Sequence, residues 1–140
     1  MSNTSNNFDR EKHIFHSPKY KSVVKEALEF FTNTPVHQLP PPERFIGAGV
    51  YALYYLGNFN VYLRISEQNR KACVLPIYVG KAVPPGWRTA RTHNSGSEDL
   101  RSRLNEHVRS IRDAKGIQIS DFRCRFIILE EAEGDFCCPC

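Results

Sequence analysis

Two tyrosines, an arginine and a histidine stand where they could do chemistry together. Tyr51 closes Gly49-Val50-Tyr51 and Tyr78 opens Tyr78-Val79-Gly80, each inside an apolar run, 27 residues apart. Arg103 and His107 lie four apart in RLNEH. A phenol with an ordinary pKa of about 10 is a poor base. It becomes one only where a nearby cation stabilises the phenolate. Arg103 and His107 are basic groups on one helical face and could serve that need. The same types also fit a plainer arrangement, with two tyrosines packed into a core and a histidine hydrogen-bonded for structure. Lys81, Arg88 and Arg91 follow the second apolar run and could contact phosphates, or could be solvated surface. Trp87 could pack on the sheet or on a bound polyanion.

These side chains need elements to hold them. GVYALYYL reads as a strand, about Gly49 to Leu56, followed by a turn at Gly57-Asn58. Residues Asn60 to Ile65 read as a short strand, and SEQNRKA as a polar loop. A second main strand is expected from Leu75 to Val79, closed by Gly80. Lys81 to Gly96 reads as a basic loop. Ser95 and Glu98 fit a capping box that opens a helix running to Asp113. Leu100, Leu104, Val108 and Ile111 form its apolar stripe. His107 points with that stripe and Arg103 borders it. Such a buried histidine needs a partner, because burial without one costs several kcal/mol. Lys115-Gly116 stops the helix. DFRCRFIIL is a third strand, with Phe122, Cys124, Phe126 and Ile128 on one face and Arg123 and Arg125 on the other.

Upstream, Val23, Val24, Ala27, Leu28 and Phe31 recur at helical spacing, which predicts a helix from Lys19 to Phe31. Pro35, Pro40, Pro41 and Pro42 then forbid a central strand and suggest a linker wrapped over the domain. The expected organisation is a flexible segment over 1–17, helix and linker over 18–44, a core domain over 45–129 and an irregular tail over 130–140. The fold class is α+β, a small antiparallel or mixed three-stranded sheet flanked by helices.

The bulk numbers agree with one domain. The chain has 140 residues, a net charge of +4 and a pI near 8.9. That balance permits a polyanionic partner without requiring one. The polar start, MSNTSNNFDREKH, carries no apolar signal core, and no run approaches membrane-spanning length. A cytoplasmic location is expected. Cys73, Cys124, Cys137, Cys138 and Cys140 make a poor disulfide framework. The last three could bind zinc or form a reduced tail.

Taken in order, GAGVYALYYLG, PIYVGKAVPPGWR, RLNEHVRSI and DFRCRF resemble the GIY-YIG nucleases, and most closely the type II restriction endonucleases that carry this domain. The resemblance runs from about Leu39 to Leu129 and includes the motif glycines Gly49 and Gly80. It implies a site-specific double-stranded DNA endonuclease. Tyr51 would activate water with help from His107, Tyr78 would position groups around the phosphate, and Arg103 would clamp phosphate oxygens. A single Mg2+ would polarise the phosphate. A homodimer and a cognate DNA methyltransferase are further expectations from the same resemblance. The GWR segment makes Arg88 a better DNA contact than Arg91.

The resemblance also exposes a gap. The family's metal-binding glutamate lies on a helix after the third strand, followed by an asparagine. Here Leu129 is followed by EEAEGDFCCPC, which has no helical apolar period. Glu130, Glu131 and Glu133 do not match the motif position, so the metal ligand is unknown and a truncated chain is expected. A catalytically impaired remnant or a DNA-binding module is the competing function. A basic α+β domain with a structural or protein-binding role is the third.

Overall fold

The computed structural model describes residues 8–84 and 97–129. It divides into two compact units, residues 1–30 and 31–140. In the first, a short 3-10 helix spans Arg10–His13, with the Asp9 carboxylate accepting from the Glu11 amide at 3.2 Å. Helix α1, Pro18–Asn33, begins in this unit with proline in its first turn, where the missing N–H costs nothing. Val23, Val24 and Leu28 of its expected apolar face are exposed.

The second unit is built on an antiparallel sheet. Its strands are β1 (His37–Gln38), β2 (Gly49–Tyr55), β3 (Tyr78–Ala82) and β4 (Phe122–Ile128), in the order β1-β4-β2-β3. Helix α2 spans Leu63–Lys71 and helix α3 spans Asp99–Asp113. The α+β class holds, with four strands among the described residues where three were expected. The added strand, β1, pairs His37 with Cys124 at the sheet edge. It fits between Pro35 and Pro40 because an edge strand can be short and need not satisfy both sides. The proline-rich linker also contributes Leu39, 4% exposed, to the core.

Two local expectations change. The short strand over Asn60–Ile65 is instead a 3-10 turn, Asn60–Tyr62, leading into α2. The inner face of α2 is polar, which hid its period. Ser66 and Asn69 are buried on it. Ser66 Oγ donates to the Gly57 carbonyl at 2.5 Å, and Asn69 Nδ2 donates to the Leu75 carbonyl at 2.8 Å. The second main strand runs about three residues later than expected, through Gly80 to Ala82. Pro76 has no amide to donate, so regular pairing builds from Ile77, whose N–H reaches the Leu53 carbonyl at 2.8 Å.

β2 fixes the register of both neighbours. Tyr51 stands opposite Gly80 and Phe126, and Leu53 opposite Tyr78 and Cys124. Alternation therefore puts Tyr51, Leu53, Tyr55, Tyr78, Gly80, Phe122 and Cys124 on one face. α3 packs on that face, burying Leu100, Leu104, Val108 and Ile111 as its stripe requires. The start of α3 is tied to the chain entering β2. Gly47 N–H donates to the Ser97 carbonyl and Leu100 N–H donates to the Gly47 carbonyl, both at 3.0 Å. The N-cap of α3 is Glu98, where Ser95 was expected. Ser95 lies outside the described residues, α3 begins at Asp99, and Glu98 is instead paired with Arg44 at 3.1 Å.

Candidate active site

β2, β3 and α3 deliver three of the singled-out side chains to one place. Tyr51 is 2% exposed, and its hydroxyl lies 2.8 Å from Nε2 of His107. His107 reaches it because it lies three residues after Leu104 and four before Ile111, on the buried side of α3. Tyr78 lies across from this pair. Its ring centroid is 4.7 Å from that of His107 and 6.0 Å from that of Tyr51. Tyr78 is 47% exposed, so this end of the cluster opens to solvent.

Gly80 makes the arrangement sterically possible. A Cβ there would fall 2.6 Å from the Tyr51 hydroxyl and 2.7 Å from a Tyr78 ring carbon. Gly49 has the same kind of role at the start of β2, where a Cβ would run into the Ile127 carbonyl. Both motif glycines thus permit close backbone or ring approach.

Arg103 lies beside the cluster on α3. Its Nη1 donates to Glu106 Oε2 at 2.7 Å, and both side chains are about half exposed, at 55% and 50%. Glu106 was not singled out in the sequence. Its only sequence signal is its place three residues after Arg103. Lys81 does not join the cluster. It lies on β3 one residue out of phase with Tyr78 and Gly80, on the opposite sheet face. Arg88, Arg91 and Trp87 lie outside the described residues, as do Glu130, Glu131, Glu133 and Cys137, Cys138 and Cys140.

The electrostatics are unequal. Burial pushes the Tyr51 phenol up to about 12, with Tyr78 and Glu106 acting the same way and Arg103 against them. Burial lowers the His107 pKa, while Glu106 raises it and Arg103 lowers it. His107 is therefore neutral at pH 7, able to accept a hydrogen bond from Tyr51. The Arg103 guanidinium is held charged, chiefly by its hydrogen bond to Glu106.

A divalent-cation site needs several oxygen donors. Among the described residues no group of three or more His, Cys, Asp or Glu side chains could hold a metal ion. Glu106 is the carboxylate acting on Tyr51, and it is already paired with Arg103. The described residues do not by themselves fit a magnesium site. Nor is any described helix long and apolar enough to cross a membrane.

No curated protein matches the chain. The Eco29kI GIY-YIG domain family matches residues 43–136, about two thirds of its length. The match starts just before β2 and continues past β4 into residues 130–136, which the sequence reading placed in the tail. Nucleases of this type are generally divalent-metal dependent. The chain therefore belongs to the Eco29kI GIY-YIG family, a type II restriction endonuclease domain.

Proposed function

We propose that this chain is a site-specific endonuclease that hydrolyses phosphodiester bonds in double-stranded DNA. The observation that carries this reading is the 2.8 Å hydrogen bond between Tyr51 and His107, beside Tyr78 and Arg103. His107 Nε2 takes the phenol proton, and Tyr51 in turn takes a proton from water. The resulting hydroxide attacks phosphorus, the bond to the leaving oxygen breaks, and that oxygen takes up a proton from solvent. Arg103 neutralises the charge that builds on the phosphate oxygens. Tyr78, exposed at the mouth, orients the phosphate.

Deprotonating Tyr51 is the costly step. At pH 7 a phenol at about 12 loses its proton only at a cost of about 7 kcal/mol. His107, whose own pKa is lowered, cannot offset that alone. The charge of Arg103 acts in the required direction. Magnesium is part of the proposal as a requirement of the reaction, with no ligand assigned and no step drawn through it. A short duplex target with two-fold symmetry calls for two copies of the chain acting together. A cognate DNA methyltransferase is the partner that would protect the host, and a cytoplasmic location fits that pairing.

DNA binding without cleavage is a second function, favoured by the lack of a metal-holding group among the described residues. A plasmid-cleavage assay with and without magnesium separates the two. Nuclease function predicts magnesium-dependent nicking or linearisation that disappears in Tyr51→Phe and Arg103→Ala. DNA retention with no cutting by the wild-type chain establishes the binding module instead.

A further inference from the structure

Arg103 and Glu106 form an ion pair across one turn of α3, with Nη1 and Oε2 2.7 Å apart. Exposed pairs of this kind on an ordinary helix contribute little to stability. This one lies on α3 beside His107, with Arg103 four residues before it and Glu106 directly adjacent in sequence. Its two charges act on both Tyr51 and His107 with opposite sign. The carboxylate also occupies a donor that a phosphate oxygen would need.

We propose that Glu106 is a positioning residue, a counter-ion latch that holds Arg103 in the DNA-free protein and is displaced by the scissile phosphate. The latch presupposes that Arg103 clamps phosphate. The exchange replaces one charge-assisted hydrogen bond by another of the same type, so no donor is left unpaired at either end. Because Arg103 and Glu106 are both about half exposed, the exchange needs only side-chain rotation.

The test is a double-mutant cycle on DNA affinity. Glu106→Gln keeps the size and removes the charge. Dissociation constants for a 30-base-pair duplex are measured in EDTA at low salt, for wild type, Glu106→Gln, Arg103→Ala and the double variant. The latch predicts that Glu106→Gln binds about 5-fold tighter. It predicts that Arg103→Ala binds more weakly, and that adding Glu106→Gln to Arg103→Ala brings no further tightening. Glu106→Asp keeps the charge and is expected to return the affinity toward wild type. Equal tightening in both backgrounds would make Glu106 a general repulsive charge and overturn the latch. Absence of tightening in Glu106→Gln, with Arg103→Ala still weakened, overturns the latch and leaves the clamp intact. Unchanged affinity and cleavage in Arg103→Ala overturn the clamp itself. Glu106→Ala, read the same way, guards against a folding defect peculiar to the amide.

Discussion

β2 sets a tyrosine against an arginine on each of its two faces, and the two arginines are held differently. On one face Tyr51 meets His107 and feels Arg103. On the other, Tyr54 lies under Arg125, whose guanidinium carbon is 5.5 Å from the ring centroid. Tyr54 is as buried as Tyr51, each at 2% exposure. The difference lies in the arginines. Arg125 spends its donors on the Thr34 carbonyl at 3.1 Å, the Cys73 carbonyl at 3.1 Å and the Tyr54 hydroxyl at 3.3 Å. Its partners are mostly backbone and cannot leave. Arg103 is held by an exposed carboxylate that can be exchanged for another anion. An arginine fixed by backbone carbonyls ties segments of a fold together. One held by an exchangeable anion is available for chemistry.

Arginine substitutions should separate the two faces most sharply. Arg103→Ala is expected to slow cleavage about 100- to 1000-fold, with little change in the urea midpoint. Arg125→Ala should do the reverse. It strands three acceptors and should cost about 2–4 kcal/mol in urea denaturation. Cleavage per folded molecule should stay near wild type. Equal loss of activity in both variants would erase the distinction between the faces.

Gly80→Ala tests the steric requirement on the face that carries Tyr51 and His107. The added methyl meets the Tyr51 hydroxyl and the Tyr78 ring. A stability cost of about 1–3 kcal/mol is expected from overpacking. Displacing Tyr51 by about an ångström should also slow cleavage on the order of 100-fold. A variant with normal rates would show that the ring positions are not critical.

The smallest effect concerns pH. In the proposed mechanism His107 must be neutral to accept the Tyr51 proton, and burial holds its folded pKa below the ordinary 6.5. Cleavage should therefore hold down through pH 6.5 and fall only in more acid buffer. Replacing His107 by Gln should remove that limb of a pH–rate profile taken with the folded fraction monitored. The same shift bears on stability. The unfolded chain binds the proton more readily, so this contribution is complete above pH 6.5 and is lost as pH falls through the lower folded value. A urea midpoint whose acid dependence is unchanged in His107→Gln would contradict it.

Much of this site could be read from residue types and spacing. Tyr51, Tyr78 and His107 meet because period-two strands and a period-3.6 helix each carry their apolar residues toward the same interface. The stripe of Leu100, Leu104, Val108 and Ile111 sets the rotation of α3, and His107 follows from it. α2 escaped because its buried residues are Ser66 and Asn69, which bind backbone carbonyls where an apolar stripe would be sought. β1 escaped because two residues carry no period, and its pairing with β4 depends on a contact distant in sequence. Lys81 follows the second strand in sequence, and strand alternation sends it to the face opposite Tyr78 and Gly80. Glu106 was passed over because an exposed glutamate on a helix looks like any other. Only its 2.7 Å pairing with Arg103 distinguishes it.

The central claim is that Tyr51 is the base and that Tyr54, three residues along the same strand, is not. Single-turnover cleavage of plasmid DNA in magnesium by Tyr51→Phe and Tyr54→Phe, with duplex binding measured on the same samples, tests it most directly. Tyr51→Phe should bind DNA within about 3-fold of wild type and cut at least about 100-fold more slowly. Tyr54→Phe should cut at close to the wild-type rate. Near-normal cutting by Tyr51→Phe, or an equal loss in both variants, would contradict the account.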